Sequence, residues 1–326
     1  MEKPKTTDGV AEEKWKPNKT GEGVDTYPVD GKEVEITWKE FTPTGEKQSD
    51  ETIIFLTGWS AGGAKTLERL SGRFGENANC ISMQVRTRTE GTEYDLMAEA
   101  RGVREMILRR GLKKVIFAGH SEGGTKAVDL ISVLQNENPD IAIRGLILMD
   151  PAGMYEQTSG ELVTAFVKDA MVQTPRSIAQ NIFNNPSLVI KGLQASSDII
   201  FSVLREAGRS GTDYLAKLKA QIQGIGEKNN HYADVRCPIV LMQGADDPVS
   251  SHERLIPGAD QKSLFERREL LKETFFPNSP RVDWVIPKKL GHHGLPHFRA
   301  DQVGRVSVEL INRYWQEAET ATSAKE

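Results

Sequence analysis

Lys114-Val-Ile-Phe-Ala-Gly-His-Ser-Glu-Gly-Gly124 is the stretch on which the reading of this chain turns. Val115, Ile116, Phe117 and Ala118 make an apolar run of strand length, and residues 123–134 carry apolar side chains at helical spacing. Between them Gly119-His120-Ser121-Glu122-Gly123 fits the pattern G-x-S-x-G. A serine on a tight strand-to-helix turn sits in a strained backbone conformation with its hydroxyl exposed, and the flanking glycines leave room for the turn. The helix that follows points its N-terminal N–H groups at the same spot, where they favour developing negative charge. A Gly-rich turn without chemistry fits the five residues alone equally well; the strand before and the helix after favour a nucleophilic Ser121.

Outward from this turn, strand and helix patterns alternate. Residues 34–41 alternate apolar and polar side chains after an Asp30-Gly31 turn, the mark of a hairpin. Residues 52–57, 80–85, 144–149, 238–243 and 283–286 read as further strands. Residues 64–74 and 94–110 read as helices, the second on the apolar face of Leu96, Ala100, Val103, Met106 and Ile107, with Gly111 as its C-terminal stop. A terminal helix is expected over residues 300–319. This alternation predicts a mostly parallel sheet with helices on both faces.

The pattern breaks between residues 153 and 234, where no strand is convincing. Leu162, Phe166 and Met171 suggest one amphipathic helix, Ile199, Val203 and Leu204 a second, and Leu215, Leu218, Ile222 and Ile225 a third. The expected organisation is a core over 27–153 and 235–316, a helical insertion over 154–234, a disordered segment over 1–26 and a flexible tail over 317–326.

Composition narrows the class. The 326 residues carry a formal net charge of -4, with 38% hydrophobic and 27% charged residues, which suits a soluble globular protein and gives no electrostatic footprint for nucleic acid. No apolar run approaches the roughly 20 residues of a membrane span. The N-terminal residues lack the apolar core of a signal peptide, so a cytoplasmic location is the expectation. Two cysteines, Cys80 and Cys237, are too few for a disulfide framework and sit in strand-like runs, so both are expected to be buried thiols. Oligomeric state is not readable from these features.

A nucleophilic serine needs a base, and the base needs an orienting carboxylate. Leu241-Met-Gln-Gly-Ala-Asp-Asp-Pro-Val249 offers Asp247 in the turn after a strand, with Asp246 as alternative; an Asx turn is the bland account of the pair. Gly291-His292-His293-Gly294 follows the last strand and offers His292, with His293 as alternative. His292, His293 and His297 lack the spacing of a zinc helix or finger, and no metal or other cofactor is expected. His120, His231 and His252 read as packing or surface residues. An oxyanion needs two donors, for which the backbone N–H groups of Glu122 and of Trp59, in Thr57-Gly-Trp-Ser-Ala-Gly-Gly63, are the candidates. The Glu122 side chain reads as a helix-start carboxylate that complements the dipole, or alternatively as a contact for a polar or cationic part of a substrate.

Taken together, residues 27–316 resemble the α/β-hydrolase superfamily, most specifically at residues 119–124 and more weakly at Gly244 to Val249 and Gly291-His292. The resemblance implies Ser, Asp and His in that chain order and a helical cap over the pocket. Thr57 departs from the family, where many members carry His, and residues 86–91 lack the Asp-Gly-rich signature common there. Ser121 in place of a carboxylate at the turn argues against haloalkane dehalogenase or epoxide hydrolase chemistry. Acyl transfer to water on a small or medium carboxylic ester is the expectation. Thioesterase, amidase or peptidase, C–C bond hydrolase and a non-catalytic binding protein on the same scaffold are its rivals.

Overall fold

Asp30 and Gly31 both take positive φ, 50° and 76°, as a type I′ hairpin turn demands. They join β1 (Lys19–Val29) to β2 (Lys32–Phe41) in antiparallel register from Val29 opposite Lys32 outward. The computed structural model describes residues 18–43, 50–58, 67–76, 78–88, 95–155, 157–169, 172, 176, 230–258, 261–292 and 299–323. The start of β1 corrects the expected disordered segment over 1–26, because residues 19–26 are strand. Their side chains bury little, and what holds them is ladder pairing with β2 and the packing of Gly21 and Gly23 on the Trp38 ring.

Six parallel strands follow the hairpin in the sheet: β3 (Glu51–Leu56), β4 (Asn79–Arg88), β5 (Lys114–His120), β6 (Ala142–Met149), β7 (Ile239–Met242) and β8 (Val282–Val285). Their order is β1-β2-β4-β3-β5-β6-β7-β8. Successive side chains go to opposite faces, as the two-residue period requires. Ile54, Leu56, Val115, Phe117, Leu146, Leu148, Ile239 and Leu241 enter one apolar layer. Ile53, Phe55, Ile116, Ala118, Ile147, Met149, Val240 and Met242 enter the other. Continuous apolar runs are therefore two-faced strands, the mark of a sheet covered on both sides.

The helices divide between those layers. α1 (Glu68–Gly75) contributes Leu70 and Phe74 to the second layer. α2 (Leu96–Arg109) contributes Val103, Met106 and Ile107 to the first, and α3 (Glu122–Glu137) adds Ala127, Val128, Leu130 and Ile131. α2 is capped by Asp95, whose side chain accepts from the Ala98 N–H at 2.9 Å. α4 (Ser159–Lys168) begins the inserted stretch, and the helices expected around Ile199 and Leu215 lie outside the described residues. Beyond β7 come the short α5 (His252–Leu255) and α6 (Leu264–Phe275).

α7 (Ala300–Ser323) packs on α1 and lays Val303, Val308 and Ile311 on the second layer. It corrects the expected flexible tail over 317–326, since helix runs through Ser323. Gln316-Glu-Ala-Glu-Thr-Ala321 contains no Gly or Pro to stop it. Among the described residues no helix is long and apolar enough to cross a membrane.

Candidate active site

Ser121 stands where β5 ends and α3 begins, with φ 56° and ψ -127°. That region is strained for a residue with a Cβ, at a cost of about 1–3 kcal/mol. Backbone bonds hold it there: the Ser121 N–H donates to Met149 O at 3.0 Å, and Ser121 O accepts from the N–H groups of Gly124 (2.9 Å) and Ala152 (3.1 Å). Close packing explains the glycines. A Cβ on Gly123 would lie 2.1 Å from Leu56 O, and one on Gly119 would lie 2.4 Å from Gly123 O.

The loops after β7 and β8 are laced together. Gln243 N–H donates to Val285 O, Ala245 N–H to Pro287 O and Asp246 N–H to Leu290 O, each at 3.0 Å. A side chain at Gly244 would collide with Leu290 O at 2.4 Å. This lacing brings Asp247 and His292 together and leaves Asp246 partly exposed. Asp247 Oδ2 lies 2.9 Å from His292 Nδ1, and His292 Nε2 lies 2.9 Å from Ser121 Oγ. All three residues are buried.

Charge assigns the protons. Burial pushes the Asp247 carboxyl up, but the facing His292 and the N–H groups of Ser250 and Val249 outweigh it, and the pKa falls below the ordinary range. An ionised Asp247 only accepts, so His292 Nδ1–H donates to it, and Nε2 is left to accept the Ser121 hydroxyl proton. Burial pulls the His292 pKa down, yet the charge and hydrogen bond of Asp247, joined by the charge of Asp169, leave it raised.

Two further carboxyls that sequence reasoning missed face this series. Asp150, at the end of β6 with φ 44°, accepts the Gly244 N–H at 2.7 Å. Burial and the neighbouring Asp247 charge hold its pKa well above the ordinary carboxylate value. Asp150 had a readable signal, its place at the carboxyl end of a parallel strand, where α/β folds gather functional groups. Asp169 accepts the backbone N–H of His292 at 3.0 Å, and nothing in its sequence context marks it. His120, expected to pack, does so with a specific bond: its Nε2–H donates to His292 O at 3.1 Å.

Glu122 takes neither of its expected roles alone. It opens α3, where a carboxylate complements the dipole, but its side chain is buried and its Oε1 lies 2.9 Å from Lys126 Nζ. Lys126 also reaches Glu99 Oε2 at 2.7 Å and donates to Val85 O at 3.2 Å. Burial lowers the Lys126 pKa, and the two glutamates reverse this and carry it above the usual lysine value. His231 Nδ1–H donates to Asp129 at 2.9 Å, and His252 is buried. Trp59, His293 and His297 lie outside the described residues. Gly58, just before Trp59, abuts the serine so closely that a Cβ there would lie 2.8 Å from both His120 O and Ser121 Cβ.

Among the described residues, Asp150, Asp247 and His292 are the group whose ligand atoms, within 4.8 Å of one another, could hold a metal ion. His292 Nδ1 and Asp247 Oδ2 are bonded to each other, so an ion would have to break that bond, and the residues fit a metal poorly.

The chain belongs to the α/β-hydrolase family, whose model matches residues 53–306. No curated protein matches it by sequence. Among solved structures it is similar to a thermophilic esterase from Thermogutta terrifontis with malate bound. Identity is 16% and TM-score 0.59, over 89% of this chain and 98% of that one. An esterase from Exiguobacterium antarcticum gives 16% identity and TM-score 0.56, over 88% of this chain and 98% of that one. A bromoperoxidase from Bacillus anthracis gives 14% and 0.55, over 89% of this chain and all (100%) of that one. Likeness at these identities shows the fold, an eight-stranded, mostly parallel sheet flanked by helices.

Proposed function

We propose that this α/β hydrolase is a serine hydrolase that transfers an acyl group from a small or medium carboxylic ester to water. The observation that carries the reading is the unbroken series Ser121 Oγ, His292 Nε2, His292 Nδ1, Asp247 Oδ2, with 2.9 Å at each step between residues. Ser121 Oγ bonds to the carbonyl carbon while its proton passes to His292 Nε2, and Asp247 steadies the imidazolium. The N–H groups of Glu122 and Trp59 serve as oxyanion donors, each worth about 10²- to 10³-fold in rate. When the ester C–O bond breaks, His292 returns the proton to the leaving alcohol. Water then attacks the acyl-enzyme by the same proton path and frees the acid and Ser121. Residues 154–234 act as a cap over the substrate, which fits an ester that must be screened from bulk water. The names of the esterases with this fold make esters the first substrates to try.

A fluorophosphonate probe and a series of p-nitrophenyl esters test the proposal. Wild-type protein is expected to take up one probe at Ser121 and to hydrolyse short esters, and Ser121→Ala to do neither. Equal ester turnover by the two proteins refutes it. Amide turnover exceeding ester turnover would move the substrate class to amides.

A further inference from the structure

His292 is held by its backbone as well as by its ring. Its N–H donates to Asp169 Oδ1 at 3.0 Å, and its C=O accepts from His120 Nε2–H at 3.1 Å. The His120 and His292 rings lie 5.2 Å apart at 37°. All three residues are buried, with relative exposures of 4% for His120, 1% for Asp169 and 0% for His292. The two partners come from different parts of the fold. His120 ends β5 next to the nucleophile, whereas Asp169 directly follows α4 in the stretch inserted between β6 and β7. Leu290 to His292 belong to no helix or strand, so no ladder of their own fixes this peptide.

We propose that Asp169 and His120 are positioning residues that clamp the His292 peptide from both sides, so that the inserted stretch supplies part of the alignment of the base. The proposal rests on the serine-hydrolase reading above. Two backbone anchors and two ring hydrogen bonds leave the imidazole a single orientation. Misplacing a reacting group by about 1 Å costs on the order of 10²-fold in rate, so an anchor on the peptide matters as much as one on the ring. Asp169 acts through charge as well. Among the described residues, the titratable groups facing the imidazole are Asp247 after β7, Asp169 after α4, His120 at the end of β5 and Asp150, whose pKa is raised, at the end of β6. Asp247 and Asp169 are the two whose negative charge favours the imidazolium.

The test compares Asp169→Asn with Asp169→Ala in the full chain. It reads p-nitrophenyl ester kinetics over about pH 5 to 9, with fluorophosphonate titration counting active protein. Asparagine keeps an acceptor oxygen and loses the charge. Its kcat at high pH should stay within about threefold of wild type, while the acid limb of kcat/KM moves to lower pH. Alanine loses the acceptor, and kcat should fall about 10- to 100-fold across the range with KM within about twofold. A purely structural side chain would move neither the acid limb nor the Asn-to-Ala ratio.

An unmoved limb in Asp169→Asn, or wild-type kcat in Asp169→Ala, overturns the proposal. Should the alanine variant fail to fold, Asp169→Asn still decides. The His292 amide in wild-type protein decides independently: slow hydrogen exchange is expected, and exchange at the rate of an open loop overturns the clamp. His120→Gln, which retains an N–H donor, should keep more kcat than His120→Leu, and equal losses remove His120 from the clamp. Failure of the underlying reading looks different: wild-type Ser121 would take up no probe, whatever stands at position 169.

Discussion

Lys126→Met is expected to cost the fold about 3–5 kcal/mol, because it leaves two buried carboxylates without their shared cation. Among the described residues the ammonium has within reach Glu99 Oε2 at 2.7 Å, Glu122 Oε1 at 2.9 Å and Val85 O at 3.2 Å. At an effective dielectric constant near 20, each ion pair at such a distance is worth about 6 kcal/mol of gross attraction. Desolvation of the ions returns several kcal/mol apiece, so the intact cluster itself contributes little net stability. What sets the size of the effect is the state the deletion leaves behind. Glu99 retains the Thr87 N–H at 2.9 Å and the Thr87 hydroxyl at 3.3 Å, but its charge loses its counterion. Methionine preserves most of the stem volume, so a cavity adds little. Guanidinium unfolding gives the midpoint and slope for each variant. Adding Glu99→Gln and Glu122→Gln to Lys126→Met should recover most of the loss, since neutral replacement of a whole buried ion cluster is often harmless. Lys32→Met, which breaks the half-exposed pair with Asp95, should cost less than about 1 kcal/mol. A loss below about 1 kcal/mol at Lys126, or a triple variant no more stable than the single one, refutes the reasoning.

The remaining predictions concern the serine turn, the imidazole and the thiols. Gly58→Ala should depress ester turnover more than stability, because its Cβ would press on Ser121 Cβ and His120 O at 2.8 Å; thermal melts beside kinetics check this. Gly123→Ala should yield little folded protein, since its Cβ would stand 2.1 Å from Leu56 O, and circular dichroism of the purified variant shows whether it does. The raised His292 pKa should put the acid limb of kcat/KM above about pH 6.5, because only the neutral imidazole accepts the serine proton. The same shift contributes stability that is fully present below the unfolded pKa of about 6.5 and is lost as pH rises through the folded value, which unfolding at a series of pH values will show. Cys80 and Cys237 are buried; burial raises the first thiol and pushes the second up to about 12. Neither should react with a thiol reagent at pH 8 until the protein is unfolded, and early colour in the native protein contradicts this.

The strands of the core were legible because their apolar runs fill both faces of a sheet, and α2 and α3 because they pair an apolar stripe with a clear start. β1 was not legible before residue 27. As an edge strand it owes its place to backbone pairing and to glycines lying on Trp38, and neither leaves a hydrophobic signature. α6 was missed for a related reason: of its twelve residues only Leu271 is buried. Its capping box, Ser263 with Glu266, was the signal available, with the Ser263 hydroxyl bonded to the Glu266 carboxylate at 2.6 Å. Within the site, the motif around Ser121 was readable because its mechanics are local. Asp169 was not, because a carboxylate that meets a backbone N–H more than a hundred residues away obeys no local pattern.

Asp150 and Asp247 show why the choice of carboxylate depends on the assembled site. Both are acidic residues in turns at the carboxyl edge of the sheet, one after β6 and one after β7, and both are buried. Two carboxylates so close to one imidazole cannot both ionise cheaply, and the proton goes to the one with the poorer set of donors. Asp247 receives the N–H groups of Val249 and Ser250 and the His292 Nδ1–H. Asp150 receives the Gly244 N–H and faces the charge of Asp247. Ionisation at Asp247 therefore drives the Asp150 pKa upward, which disfavours a third negative charge on the imidazole beside those of Asp247 and Asp169. Were Asp150 ionised as well, His292 would hold its proton more tightly still, and a base that holds its proton near neutral pH takes none from serine.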